Sequence, residues 1–175
     1  QCEQIQQLRC VRRLRPVRAF QRSQEPPPPA AGEKAAIQED PSFEQRSQIG
    51  IAVLHEMGFR GAGVRIAVLD NGFHYTDHVA FDHLRQSGLV VAERDFVNGD
   101  EVVSDERDQP VTGDETISSQ NIHGAQVLSI LAADDPGRLI GAAPDAEYLL
   151  AKTEDNGSEL PIEEDRWIAG LEWAD

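Results

Sequence analysis

The chain is poor in cysteine, lysine and aromatic residues, and each shortage excludes something. Its two cysteines, Cys2 and Cys10, both fall in the first ten residues, where they would lie near one face of a short helix. The rest of the chain has none, which excludes a disulfide framework and a thiolate metal site there. No run of about 18 apolar residues occurs, so no segment reads as a membrane span. Only Lys34 and Lys152 are lysines among sixteen basic residues, a usage compatible with a salt-adapted source. Basic residues are also scarce overall, and the formal net charge is −15.

That charge is unevenly spread. Residues 1–22 carry six arginines against Glu3 alone, a net of +5. The remaining ten bases and thirty acids leave −20 on residues 23–175. Such acidity repels phosphates and argues against nucleic acid as a partner of the body. The basic segment lacks the interleaved aromatics that would support an RNA- or membrane-binding arm, and its bland reading is a solvated tail.

A length of 175 residues suits one ordinary domain plus a tail. The chain starts with Gln1 and stops inside an apparent helix, so we expect a fragment of a longer protein. The run Pro26-Pro27-Pro28-Pro29-Ala30-Ala31-Gly32 reads as a stiff extended linker. Three segments follow from this: a basic piece 1–22, a Pro-rich linker 23–42, and a folded body 43–175.

Within the body, Phe43–Met57 predicts one helix with Ile49, Val53 and Leu54 on its apolar side. Arg65–Leu69 is apolar after its first residue, as in a strand buried on both faces. Leu89–Ala92 and Glu147–Lys152 predict two further strands, and residues 97–119 a long acidic surface loop. Gly124–Ala133 and Ile162–Ala174 predict helices, separated by a turn at Gly141-Ala142-Ala143-Pro144. Strands alternating with helices imply a mostly parallel sheet covered by helices, an α/β fold.

Asp70 closes the first strand and is followed by Asn71-Gly72, a turn signal. Reacting groups in open parallel sheets gather at the carboxyl ends of strands, where Asp70 stands. His123 opens the buried helix, with Val127, Leu128, Ile130 and Leu131 as its expected packing side. A carboxylate that orients an imidazole, and a rigidly held imidazole, are two of the three parts of a nucleophilic hydrolase. The helix dipole at His123 is expected to disfavour the imidazolium and keep a neutral base. Each half alone is weakly specific, since Asp-x-Gly after a strand also describes receiver domains, phosphotransferases and nucleotide hydrolases. A lone histidine at a helix start is often only a cap.

Together, in this order, the segments resemble the subtilisin-like serine proteases, the subtilases. Ala67-Val68-Leu69-Asp70-Asn71-Gly72 is similar to the family's aspartate motif, and His123-Gly124-Ala125-Gln126-Val127-Leu128 to its histidine motif. Gly141-Ala142-Ala143-Pro144 resembles its Gly-Val-Ala-Pro turn, and Gly63–Val68 its first core strand. The resemblance runs from about Phe43 to Asp175. It implies a three-layer, doubly wound, mostly parallel α/β domain, incomplete in this chain. It further implies serine endopeptidase activity, with Asp70 orienting His123 and His123 acting as general base and then acid.

Two departures stand out: Asn71 where the family usually has threonine or serine, and Ala125 where it has threonine. The family's nucleophilic serine and oxyanion asparagine have no match here, and the resemblance places both after residue 175. Ser118 and Ser119 precede the histidine, and Ser129 lies within the buried helix. The chain alone is therefore expected to be inactive. The resemblance also implies secretion, peptide or protein substrates, no required cofactor, and an inhibitory propeptide. Residues 1–22 suit the end of such a propeptide, docking partly through its +5 charge on the −20 body.

Other clusters have blander readings. Asp100, Glu101, Asp105, Glu106, Asp108, Asp114 and Glu115 crowd one loop. Calcium favours such loops and is a structural ion in many subtilases, but the spacing fits no defined calcium motif and a solvated loop is preferred. His74, His78 and His83, with Asp77 and Asp82, invite a zinc-hydrolase reading, against which surface histidines are the stronger one. Trp167, Ile168, Leu171 and Trp173 read as core of the last helix, with Ile168 and Leu171 on the sheet. Two rival functions remain at this point: a non-catalytic protease-like binding domain, and a receiver-type domain phosphorylated at Asp70.

Overall fold

The computed structural model describes residues 40–104, 121–155 and 160–175, all within the compact unit Ala36–Asp175. Two short helices come first, α1 (Phe43–Gln48) and α2 (Ile51–Glu56). The expected single helix is broken because Gly50 adopts φ +79°, outside the right-handed helical region. Ile49, Val53 and Leu54 are exposed, and Ala52 is the buried residue of α2. Arg46 pairs with Asp40, and His55 bridges Arg46 to the Ala142 carbonyl, which its Nε2 approaches at 2.9 Å.

Strands β1 (Arg65–Asp70), β2 (Val90–Asp95) and β5 (Glu147–Lys152) form a three-stranded sheet in the order β1-β5-β2, with both pairings parallel. Between β1 and β2 run a 3₁₀ turn (Val79–Phe81) and helix α3 (Asp82–Ser87), neither of them marked by a clear sequence pattern. After β2 come helix α4 (Ile122–Ala132) and a two-stranded antiparallel hairpin of β3 (Asp134–Asp135) and β4 (Leu139–Ile140), not foreseen either. Pro136-Gly137 makes its turn, with Gly137 at φ +85°. Helix α5 (Ile162–Ala174) ends the described residues.

The two longer helices cover opposite faces of the sheet. Gly124 of α4 rests on Asp70 and the Gly72 backbone, whereas Gly170 of α5 rests on Leu69 and Thr153. Asp70 and Leu69 are neighbours in one strand and so project to opposite faces. The main core lies on the α4 face, where Val68, Tyr148 and Leu150 meet Leu128, Ala132, Phe73 and Phe81. This is the expected helix–sheet–helix layering.

Burial on both faces holds for β5 and fails for β1. Tyr148 to Lys152 are all buried, whereas Arg65 and Ala67 are exposed. The reason is position: β5 is paired on both sides, and β1 has one neighbour among the described residues. In α4, Leu128 and Ala132 are buried, but Ile130 is two-thirds exposed and points away from the core. Ile168 and Leu171 of α5 are also exposed, and Gly170 makes the close approach to the sheet instead. Trp173 meets Phe96 edge-on, with ring centroids 6.2 Å apart.

Candidate active site

The site is built where β1 ends and α4 begins. Asp70 is 6% exposed and anchored locally by the Asn71 amide, which donates to its Oδ1 at 2.8 Å. Gly72 then turns the chain at φ +129°, a conformation suited to glycine. The turn delivers Phe73, fully buried, whose N–H donates to the Val103 carbonyl at 2.7 Å. Asp70 is thus fixed at the rim while the next aromatic ring plugs the core beneath it.

His123 lies over this carboxylate. Its Nδ1 is 2.8 Å from Asp70 Oδ1 and 3.0 Å from Oδ2. An ionised carboxylate only accepts, so Nδ1 carries the proton and donates it. The neutral ring then presents a lone pair at Nε2 on a side chain that is two-thirds exposed. Proton acceptance at that nitrogen is the chemistry the arrangement offers.

The electrostatics correct one expectation. The hydrogen bond that His123 donates to Asp70, reinforced by the carboxylate's charge, raises the His123 pKa above its ordinary value of 6.5; desolvation opposes the rise, and Glu154 adds to it. The direct carboxylate contact outweighs the helix-dipole effect that was expected to disfavour the imidazolium.

How α4 comes so close is decided by two residues. A Cβ at position 124 would overlap the Gly72 carbonyl oxygen, so only glycine allows the contact. Asn71, 3% exposed, accepts the Gly124 N–H at its Oδ1 at 3.0 Å. One of the unpaired N–H groups of the first helical turn is thereby satisfied across the site. The sequence marks Asn71 as part of a turn and as a departure from the family pattern, but not as this acceptor; the available signal was an amide side chain beside Asp70.

The other candidates scatter. His74 pairs with Asp77 at 2.7 Å, His78 accepts the Ala80 N–H at Nδ1, and His83 approaches the Pro144 carbonyl at 3.1 Å. These three histidines have three different partners and do not converge. Ser129 donates its hydroxyl to the Gln126 carbonyl at 2.7 Å. Of the acidic loop, Asp100 accepts the Val102 N–H; Asp105, Glu106, Asp108, Asp114 and Glu115, like Ser118 and Ser119, lie outside the described residues. The propeptide reading of residues 1–22 also lies outside them, as does the linker 23–42 except for residues 40–42. A cleft of about 390 Å³ opens beside the first turn of α4, between Ile122, Gln126, His74 and His78. The fully buried pair Lys152 and Asp95 was also missed, its signal being one lysine that closes the apolar run 148–151.

Residues 61–174 match the model of the Subtilase family, Peptidase_S8. The chain belongs to the subtilase family. Serine peptidase chemistry is that family's hallmark, and the parallel α/β sheet with its two helical layers agrees with such a domain. One similar solved structure is described as the crystal structure of the Aeromonas sobria serine protease (ASP) and the chaperone (ORF2) complex. It shares 26% identity with a TM-score of 0.41, over 65% of this chain. The subtilase chain described here spans 16% of that protein's length. No curated protein sequence matches it. Among the described residues, no helix is long and apolar enough to cross a membrane.

Proposed function

We propose that this chain supplies the acid and base of a serine endopeptidase whose nucleophilic serine is contributed by residues outside 1–175. The observation that carries the reading is the 2.8 Å contact of His123 Nδ1 with the Asp70 carboxylate, made by a side chain that is two-thirds exposed. In this mechanism His123 Nε2 takes the proton of the serine hydroxyl as it attacks the peptide carbonyl. It then returns that proton to the leaving amine. Asp70 holds the tautomer and stabilises the imidazolium formed between these steps. Asn71 and Gly124 keep acid and base at their separation through the reaction. No cofactor enters the sequence of steps.

Secretion and regulation by an N-terminal propeptide belong to the same proposal. Residues 1–22, at +5, suit a segment that docks on the acidic body. A receiver-type role is disfavoured, because the Asp70 carboxylate is already engaged by the His123 ring.

A serine-directed fluorophosphonate tests the reading. The 175-residue chain is expected to take no label. The complete protein is expected to label at one serine and to lose that label in His123→Ala. Labelling of the isolated chain would refute the external serine. Absence of both labelling and peptide hydrolysis in the complete protein would favour a non-catalytic binding domain.

A further inference from the structure

Three charged side chains stand in a row across the carboxyl end of the sheet. The strand register pairs Asp70 of β1 with Lys152 of β5, and Lys152 in turn with Asp95 of β2. Directly paired residues of parallel strands project to the same face, so all three point toward the α4 side. Lys152 and Asp95 have no solvent exposure, and Asp70 has 6%.

The lysine is held in an unusual way. Its Nζ lies 3.7 Å from Asp95 Oδ2 and makes no hydrogen bond among the described residues. Asp95 is committed elsewhere, accepting the Val97 and Asn98 N–H groups at 2.6 and 2.9 Å and the Asn98 side-chain amide at 3.1 Å. A buried ammonium without hydrogen bonds is costly and persists only where opposite charge surrounds it. Here Asp95 on β2 lies within ion-pair reach of the ammonium, and Asp70 on β1 is the lysine's register partner on the other side.

We infer that Lys152 is a positioning residue for the Asp70–His123 pair, its buried positive charge partly offsetting the two carboxylates and so setting how strongly Asp70 retains a proton on His123. The row carries two negative charges and one positive. Protonated His123, above Asp70, brings the set to neutrality. Lys152 weakens the pull of the row on the imidazole proton, and Asp95 strengthens it. Among the described residues, Glu154, just after β5, also adds negative charge at the ring. Helix α4 holds no titratable residue besides His123. The acids of α5 belong to the helix on the opposite face. The inference concerns the charge state of the pair, so it is read without a nucleophile and stands or falls separately from the protease proposal.

The test is an NMR titration of the His123 ring in the 175-residue chain. Lys152→Met is expected to raise the proton-binding constant of His123 roughly threefold, the size of a unit charge acting through a partly solvated path. Asp95→Asn is expected to lower it by a similar factor, Lys152→Met/Asp95→Asn to return it near the parent value, and Lys152→Arg to leave it unchanged. Opposite signs are the diagnostic, because mere loosening of the sheet end would move both single variants the same way. Shifts of equal sign, or none, would overturn the inference. Should circular dichroism show Lys152→Met unfolded, Asp95→Asn decides: a lower constant supports the role of the row, and an unchanged or higher one refutes it.

Discussion

The side chain of Asn71 accepts a hydrogen bond from the backbone of Gly124, so the residue beside Asp70 fastens the residue beside His123. The acid and the base are therefore tied through their neighbours as well as through their own 2.8 Å contact. Both ends of this second tie are buried. The separation of the pair is consequently a property of the two backbone turns and does not depend on the exposed ring alone.

Replacing Asn71 by alanine leaves the Gly124 N–H buried without this acceptor, at a cost of about 1–3 kcal/mol. Urea unfolding is expected to show that loss. Relaxation measurements on the backbone of residues 122–124 are expected to show increased motion in the variant. Threonine at 71, shorter by one heavy atom along the reach to Gly124, is expected to recover only part of the stability.

Gly124→Ala reverses an ordinary rule. Glycine to alanine within a helix usually stabilises by about 1 kcal/mol. Here the new methyl would meet the Gly72 carbonyl, which is part of the turn that fixes Asp70 and cannot retreat. Overpacking against backbone predicts a destabilisation of about 3 kcal/mol. Thermal melts give the sign directly, and a raised Tm would show that α4 does not press on this turn.

The Asp70–His123 contact makes stability depend on pH in a stated direction. His123 binds its proton more tightly in the folded chain than at its unfolded value near 6.5. Its contribution is thus fully present below about 6.5 and is lost as pH rises through the raised folded value. Denaturant midpoints of the parent chain and His123→Ala should differ more at pH 6 than at pH 9. In the complete protein, the proposed mechanism and the same shift together move the acid limb of the hydrolysis profile to higher pH than an unperturbed histidine would give.

Glu93 on β2 gives a prediction far from the site. Burial raises its carboxyl above the ordinary 4.5, while a hydrogen bond from Tyr75 works the other way. Folding thus favours the protonated form, an advantage present below about 4.5 and lost as pH rises through the folded value. Glu93→Gln keeps an acceptor for the Tyr75 hydroxyl without the charge. Its stability relative to the parent should grow between pH 4 and pH 7. The gain stays under about 1 kcal/mol, because the side chain is partly solvated and its charge screened.

Much of this architecture was legible in the sequence because its main elements carry strong signals. The apolar runs ending in Asp70 and Lys152 are strands, and the helix opened by His123 begins one residue before that histidine. The expected turn at residues 141–144 lies slightly later, closed by the Ala146 N–H on the Ala143 carbonyl. What stayed hidden depends on contacts between distant segments. Gly50 divided an expected helix because one residue took a positive φ, which composition does not prescribe. Ile130, Ile168 and Leu171 were expected inside and are exposed. Hydrophobicity marks a side chain's preference for cover, whereas the approach of each helix was set by its smallest residues, Gly124 and Gly170. The aspartate and histidine could be picked out from their motifs. The bond from Asn71 and the row Asp70–Lys152–Asp95 arise from strand register and helix docking, which no local pattern encodes.

The central claim is that Asp70 and His123 act together as the orienting acid and the base of peptide hydrolysis. Asp70→Asn in the complete protein tests it most directly, because it preserves shape while removing the charge that fixes the imidazole proton on Nδ1. The measurement is kcat/KM on a peptide substrate at neutral pH, with folding checked by circular dichroism. The account predicts a fall on the order of 10⁴-fold in a folded variant. A folded Asp70→Asn protein that hydrolyses peptide within tenfold of the parent would contradict it.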